Sequence, residues 1–405
     1  MIEGAIPTLV LIALAAVLAP LIAEATRRLL PVPEVVIQIL LGIVLGPYVL
    51  DLVHPNTIVT ALSDFGLTYL MFLAGTELDL STVRQGRLGR AAGSWAVSVF
   101  LALGVGAVLH ATGLVIDHVV VALCLTTTAL GTLLPILRDA GVLRTAVGPV
   151  VLSVGSIGEF GPIVAVAVLL TNRDVKLTVL LLVLFVAVAV VAALLALQVH
   201  PPRFVALMRR HLHSTSQLPV RISVLLVVLL VFLAEKLSLD VLLGAFAAGV
   251  VVRLLIAGED SQPIESKLEA IGFGFLVPIF FIESGVTFDL HALIHQPKVL
   301  FLVPMFTVLF LLTRSLPTWA FFRGVLGRAE ARALAVFSAT GLPLIVVITT
   351  LGVDEHRMRP QNAAALVAAG MLSVLLYPLI GMRLLGRADG EPGSRRLPRP
   401  SAEDA

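Results

Sequence analysis

Residues 122–141 read ALCLTTTALGTLLPILRDAG, and residues 333–352 read ALAVFSATGLPLIVVITTLG. Each stretch is long and apolar enough for a membrane helix, yet its middle carries hydroxyl residues, then a glycine, then a proline. Proline removes a backbone donor, glycine loosens the helix, and hydroxyl groups can bond the carbonyls that are freed. One such stretch is typical of a kinked helix. Two of them predict a pair of interrupted helices that surround an ion site near the bilayer midplane.

The composition of the whole chain is that of a membrane protein. Of the 405 residues, 58% are hydrophobic and 13% are charged, and the mean hydropathy is +1.04. Soluble domains have about 25% charged residues, and a chain this apolar lacks the polar side chains that a soluble surface needs. The net charge of +2 says nothing about nucleic acid, but the lack of a basic tract interleaved with aromatic residues predicts no nucleic-acid partner. The single cysteine, Cys124, predicts no disulfide framework and no thiolate metal site, and we expect no cofactor.

The apolar runs predict thirteen transmembrane helices, and the lipid bilayer is the first partner of the chain. The predicted fold is all-α, because a chain in lipid must pair its own backbone groups and the sequence lacks the alternation of barrel strands. The predicted spans are 5–26, 32–50, 58–76, 91–113, 117–137, 147–171, 175–199, 219–236, 238–256, 268–288, 297–322, 332–352 and 361–384.

The order of the spans predicts two inverted repeats. The interrupted helices are spans 5 and 12, which run in opposite directions because they are seven spans apart. The repeats are then 1–171 (spans 1–6) and 219–384 (spans 8–13), with span 7 and a cytoplasmic loop as the linker over 172–218. Residues 385–405, rich in Gly, Pro and charge, predict a disordered cytoplasmic tail. Most of the 28 Lys and Arg residues fall in alternate loops, which predicts an outside N-terminus and a cytoplasmic C-terminus.

Three charged residues lie deep in predicted spans, where an ionised side chain costs about 3 kcal/mol or more. At about 1.5 Å per residue, Arg314, Glu159 and Glu283 lie about 12, 18 and 22 Å from the inner ends of their spans. Arg314 is therefore closer in depth to Glu159 than to Glu283, and it is a candidate partner of Glu159. A packing role for this pair is the alternative.

A carboxylate beside freed carbonyls and hydroxyls can hold either a proton or an alkali cation. Glu159 and Arg314 are therefore the predicted transport residues, and Glu283 is a possible second carboxylate. The predicted oxygen ligands of the cation are Glu159, Thr126, Thr127, Thr128, Ser156, Ser338 and Thr340.

Several motifs, in order along nearly all of 1–385, resemble the monovalent cation:proton antiporter superfamily. The stretch 33–47 (PEVVIQILLGIVLGP) is similar to the opening Pro and Gly-x-x-x-Gly-Pro pattern of that family. The stretch 62–80 (LSDFGLTYLMFLAGTELDL) is similar to its Leu-x-Phe-x-x-Gly-x-Glu pattern, and 242–252 (LLGAFAAGVVV) and 278–290 (PIFFIESGVTFDL) look like later signatures. The pair Gly158-Glu159 stands where the family commonly has Asn-Asp or Asp-Asp.

This resemblance implies a fold and an activity. It implies a core domain of spans 4–6 and 11–13, in which the two broken helices cross at the ion site, and an outer domain that forms a homodimer interface. Arg314 falls where the family has a basic residue in span 11. The implied activity is secondary active exchange of sodium or potassium for protons by alternating access. The implied location is the bacterial inner membrane.

Two other function classes compete with exchange. A gated cation channel or uniporter on the same fold would need a continuously open path rather than a carboxylate that takes proton and cation in turn. An intramembrane enzyme is disfavoured, because the sequence has no His-Glu-x-x-His motif and residues 155–158 do not form a Gly-x-Ser-x-Gly elbow. We therefore expect a transporter and not an enzyme.

Overall fold

In a computed structural model, the chain is described over residues 6–26, 32–76, 87–169, 217–256 except 238 and 240, 261–291 except 289, and 297–386, with scattered residues between 180 and 191. All regular secondary structure within these residues is helical. Among them, nine helices are long and apolar enough to cross a membrane, and three shorter apolar helices accompany them. The predicted class, an all-α polytopic membrane protein, is confirmed.

The helices follow the predicted spans closely, with spans 5 and 12 each divided in two. They are α1 Ile6–Thr26, α2 Glu34–Leu45, α3 Thr57–Thr76, α4 Arg87–Ala111, α5 His118–Leu125, α6 Leu130–Asp139, α7 Gly148–Leu169, α8 Leu218–Lys236, α9 Val241–Ile256, α10 Ser261–Ile271, α11 Val277–Val286, α12 Pro297–Phe310, α13 Leu316–Phe322, α14 Arg328–Ser338, α15 Pro343–Asp354 and α16 Pro360–Gly386. Most of predicted span 7 and nearly all of the predicted tail lie outside the described residues, so the total of thirteen spans stays a prediction.

The chain divides into two compact units, and each unit draws on both halves of the sequence. The first unit comprises Met1–Leu78 and Ile163–His291, and the second comprises Asp79–Pro162 and Ala292–Ala405. The second unit therefore holds predicted spans 4 and 5, most of span 6, and spans 11–13, which is the grouping implied for a core domain. The inverted repeats, the orientation of the termini and the homodimer stay predictions.

Glycines bring helix backbones into direct contact in the first unit. A Cβ atom built on Gly75 of α3 would lie 3.0 Å from the Cα of Gly249 in α9. One built on Gly42 of α2 would lie 2.9 Å from the Cα of Gly285 in α11. Lipid gives little hydrophobic drive for helix association, so membrane helices depend on close packing at small residues. These glycines therefore fix α3 against α9 and α2 against α11.

Two predicted spans contain a single turn of π-helix. Residues Gly272–Leu276 join α10 to α11, and residues Leu311–Ser315 join α12 to α13. Each π turn ends two residues before a proline, Pro278 or Pro317. Proline has no backbone N–H and its ring collides with the carbonyl four residues earlier, so the preceding turn widens. The second π turn carries Arg314, and such turns are frequent at functional sites.

We predict that Gly249→Ala lowers the melting temperature of the protein. The added Cβ would overlap the carbonyl oxygen of Phe72 and would lie 2.8 Å from the Cα of Gly75, and backbone atoms in packed helices have little room to move. Thermal unfolding of purified protein in detergent measures the effect. The matched control is Gly104→Ala in α4, where a Cβ meets nothing within 4 Å and alanine favours the helix. Equal losses in both variants would contradict the prediction.

Candidate functional site

The two interrupted helices meet inside the second unit. Helix α5 ends at Leu125 and α6 begins at Leu130, while α14 ends at Ser338 and α15 begins at Pro343. The backbone N–H of Ala129 donates to the carbonyl of Thr340 over 2.7 Å, which joins one interrupted segment to the other. The predicted pair of broken, crossing helices is confirmed. We call the segments 126–129 and 339–342 together the crossover.

Hydroxyl and indole groups satisfy the carbonyls at the end of α5. The hydroxyls of Thr126 and Thr127 bond carbonyls three residues earlier, at 2.9 and 3.0 Å. Thr313 Oγ1 donates to the carbonyl of Leu125 over 3.0 Å, and Trp95 Nε1 donates to that of Thr126 over 3.2 Å. Backbone groups at a helix end inside lipid need such partners, because water is not available there. The predicted hydroxyl cluster thus has a structural task of its own.

Arg314 lies at the centre of the crossover and is only 1% exposed. Its Nη2 donates to Thr128 Oγ1 over 2.7 Å, its Nε donates to the carbonyl of Ser338 over 3.3 Å, and its Nη1 approaches Ser98 Oγ at 3.4 Å. Ser338 is the last residue of α14, and the carbonyl end of a helix carries partial negative charge. The guanidinium therefore stabilises that helix end while the surrounding oxygens satisfy a buried cation.

Thr128 is the residue in which these bonds converge. Its hydroxyl accepts from Arg314 and donates to the carbonyl of Ser338 over 2.6 Å. Its backbone N–H donates to the carbonyl of Gly158 in α7 over 2.9 Å. That carbonyl is open to an outside donor because Pro162, four residues later, has no N–H to offer it. The carbonyl of Gly158, which Pro162 leaves free in α7, and the N–H of Thr128, which the break after α5 leaves free, therefore bond each other.

This bond places Glu159 beside the crossover. Glu159 follows Gly158 directly in α7 and is half-buried. Ser156, also half-buried, lies three residues before Glu159 and therefore on the same side of the helix. The predicted carboxylate thus stands one residue away from the backbone bond to Thr128. Its pairing with Arg314 stays a prediction.

Thr340 carries a buried hydroxyl that has no hydrogen-bond partner among the described residues. The residue is fully buried, and Thr340 Oγ1 and Gln38 Oε1 are the buried side-chain atoms without a hydrogen-bond partner in the described part of the chain. A buried polar atom without a partner costs about 1–3 kcal/mol, so such atoms in a native protein call for an explanation. The lone pairs of Thr340 Oγ1 remain available to an oxygen-seeking ligand.

The second interrupted segment is bonded to the span that follows it, as the first is. The N–H of Gly341 donates to Ser373 Oγ in α16 over 3.1 Å, and the same hydroxyl donates back to the carbonyl of Gly341. Thr128 has the corresponding relation to Gly158 in α7. Each interrupted segment is therefore bonded to the span that follows it in the chain.

The structure brings most of the predicted site residues together, but one lies elsewhere. Thr126, Thr127, Thr128, Ser338, Thr340 and Arg314 are buried at the crossover, with Glu159 and Ser156 in the adjoining α7. Glu283 belongs to the first unit, where Ser63 Oγ donates to its Oε2 over 3.2 Å. The structure therefore puts the two deep carboxylates in different compact units.

Sequence reasoning missed several residues of the crossover. Ser98, Thr313 and Ser373 hold its backbone or Arg314, and Pro162 frees the carbonyl that Thr128 uses. A usable signal existed for the proline, which lies three residues after the deep carboxylate. Single hydroxyls in apolar spans are common helix-packing residues, so the serines and Thr313 carried no distinct pattern.

The chain is similar to a known protein family and to several known proteins. Residues 13–385 match the protein family described as "Sodium/hydrogen exchanger, transmembrane". The putative Na(+)/H(+) antiporter YjbQ of Bacillus subtilis is 28% identical over 96% of this chain, and the aligned region covers 64% of YjbQ. The chain thus spans about two thirds of that protein. The Na(+)/H(+)-K(+) antiporter GerN of Bacillus cereus is 24% identical over 85% of this chain and 88% of its own length.

A solved structure shares the fold. The sodium proton antiporter MjNhaP1 from Methanocaldococcus jannaschii superposes with a TM-score of 0.64, covering 92% of this chain and 97% of that one at 16% sequence identity. The family match extends over nearly the whole chain and includes both interrupted helices, α7 and the π turn that carries Arg314. The chain therefore belongs to the family of transmembrane sodium/hydrogen exchangers.

Proposed function

We propose that this protein is a secondary active transporter that exchanges a monovalent cation, sodium or potassium, for protons by alternating access. The observation that carries the proposal is the position of Glu159, a half-buried carboxylate one residue from the backbone bond between Gly158 and Thr128. Membership of the exchanger family supports cation/proton exchange as the activity.

Glu159 is the proposed carrier of both ions. When its carboxyl group releases a proton, the carboxylate that remains can bind an alkali cation, and rebinding of a proton expels the cation. Because the two ions compete for one group, each crossing of the membrane carries one or the other. The proton flux and the cation flux are then coupled without a second ion-binding site. The carboxylate alternately faces the two sides of the bacterial inner membrane, and the protein works as a homodimer.

Hydroxyl oxygen atoms of the crossover complete the proposed cation site. Thr340 Oγ1 is buried and has no hydrogen-bond partner among the described residues, so it is the strongest candidate ligand besides the carboxylate. The hydroxyl oxygens of Thr126 and Thr127 each donate once to a carbonyl and keep lone pairs. Thr128 Oγ1 is a weaker candidate, because it already accepts from the guanidinium of Arg314.

Arg314 is the proposed fixed charge of the site. Its bonds to Thr128 and Ser338 hold it at the crossover. A permanent positive charge also disfavours a second cation nearby through Coulomb repulsion. Gly158 provides no second carboxylate next to Glu159. We therefore propose an exchange of one proton for one cation.

Replacement of the carboxylate tests the carrier directly. Glu159→Gln keeps the shape of the side chain but cannot exchange a proton for a cation, so we expect sodium-driven proton movement to vanish while the melting temperature stays close to that of the wild type. The measurement is the fluorescence of a pH dye in proteoliposomes after a sodium or potassium step. Glu283→Gln, in the first unit, is the matched substitution and should retain exchange. Exchange that persists in Glu159→Gln removes Glu159 from the mechanism.

Thr340→Val tests the unpartnered hydroxyl. Valine has nearly the same shape but no oxygen, so we expect the KM for the cation to rise several-fold while the melting temperature is unchanged or higher, since an unsatisfied buried group is removed. The control is Thr349→Val in α15, a buried threonine whose hydroxyl already bonds the carbonyls of Ile345 and Val346. An unchanged KM in Thr340→Val would exclude that hydroxyl as a ligand.

Membrane voltage tests the stoichiometry. In a one-for-one exchange no net charge crosses, so a potential worth about 2.3 kcal/mol per charge at 100 mV does no work on the cycle. We expect an imposed potassium-diffusion potential to drive no uphill sodium transport when no proton gradient is present. Sodium is the test ion, so that potassium sets only the voltage. Sustained voltage-driven sodium accumulation would show that a second charge is carried, and Glu283 would be the first residue to examine.

A further inference from the structure

Gly158 lies against the guanidinium of Arg314 and the side chain of Thr128, with no room for a side chain of its own. A Cβ atom built on Gly158 would lie 2.5 Å from Arg314 Nη2 and 2.7 Å from the Cβ of Thr128, and it would overlap Thr128 Oγ1. Real Cβ atoms essentially never come within 3.0 Å of another heavy atom in this way. The guanidinium of Arg314 and the side chain of Thr128 therefore occupy the volume that any other residue at position 158 would need.

We propose that Gly158 is a positioning residue for Arg314. Because it has no side chain, it leaves a niche at the crossover, and the guanidinium in that niche reaches both Thr128 and Ser338. The residue at position 158 thus decides whether the arginine can hold the two interrupted segments together. The packing between Gly158 and Arg314 is independent of the proposed function, whereas its effect on exchange rests on that function.

The backbone at Gly158 has no freedom to retreat from the contact. Its carbonyl accepts the N–H of Thr128 over 2.9 Å, so moving α7 away would break the bond that satisfies the first interrupted segment. Any added side chain must therefore displace Thr128 or the arginine. Of the two, Thr128 is held by its hydroxyl bond to Ser338 as well as by this backbone bond.

The observed contacts of Arg314 enclose its guanidinium and leave it no alternative position. It is 1% exposed, and its bonds to Thr128, Ser338 and Ser98 surround the guanidinium. Displacement would leave a buried cation short of partners, which is strongly destabilising. The loss of stability caused by a side chain at position 158 should therefore depend on which side chain stands at position 314.

The variant Arg314→Lys distinguishes this coupling from a general packing defect. Arg314→Lys keeps a positive charge but has a single terminal nitrogen, so it lacks the Nη2 atom that an added methyl group would meet. Gly158→Ala should consequently cost less in combination with Arg314→Lys than alone, because the overlap with Nη2 is lost while the overlaps with Thr128 remain in both backgrounds. Two mutations that share a contact are non-additive in this way, whereas independent ones add.

The control uses a second glycine of the same helix. A Cβ on Gly155 would lie 2.6 Å from Leu130 Cδ1, so Gly155→Ala introduces a comparable overlap that does not involve Arg314. Its cost should be the same with and without Arg314→Lys.

The experiment compares thermal unfolding of the full chain in detergent for the wild type, both single variants, the double variant and the Gly155→Ala pair. We expect Gly158→Ala to lower the melting temperature by several degrees and by clearly less in the Arg314→Lys background, where only the overlaps with Thr128 remain, while Gly155→Ala adds equally to both backgrounds. In proteoliposomes, we expect Gly158→Ala to slow exchange on the order of tenfold in the wild-type background and by a smaller factor in the Arg314→Lys background. Additive costs in unfolding, or a loss of exchange that Arg314→Lys does not relieve, would overturn the proposal. A wild type without exchange would instead reject the proposed function, and the unfolding cycle would still test the niche.

Discussion

Every backbone group that the two helix breaks set free must find a partner within the protein, because the bilayer core contains no water to bond it. Thr128 carries the largest share of this task. Its N–H donates to the carbonyl of Gly158, and its hydroxyl donates to the carbonyl of Ser338 and accepts from the guanidinium of Arg314. One residue of an interrupted segment thus ties together α7, the end of α14 and the π turn between α12 and α13.

The position of the carboxylate follows from this network. Pro162 leaves the carbonyl of Gly158 without a helical donor, Thr128 supplies one, and Glu159 is the next residue in the chain. A buried arginine becomes tolerable at the same place because helix-end carbonyls and hydroxyls surround it. The candidate site therefore holds one buried arginine and one half-buried carboxylate, and we propose that the arginine needs the absence of a side chain at Gly158.

The two compact units are held together internally by different means. In the first unit, pairs of glycines such as Gly75 and Gly249 let backbones touch, and close van der Waals packing supplies the attraction. In the second unit, hydroxyls, the arginine and the freed carbonyls form a buried polar network around the crossover. Such a network is rigid only when its members are satisfied, which makes the unpartnered hydroxyl of Thr340 its distinctive exception.

The sequence alone determined the membrane class, the bounds of most helices, both interruptions and the deep charges. Apolar length, proline and hydroxyl clusters act locally, so they can be read without knowledge of the fold. The tertiary structure decided which residues meet. Depth along a helix put Arg314 closer to Glu159 than to Glu283, but depth does not give the rotation of a side chain about the helix axis. The hydrogen bonds of the guanidinium to Thr128, Ser338 and Ser98 depend on that rotation. The niche at Gly158 and the assignment of Glu283 to the other unit likewise depend on which helices pack together, and that packing is set by contacts between residues far apart in the chain.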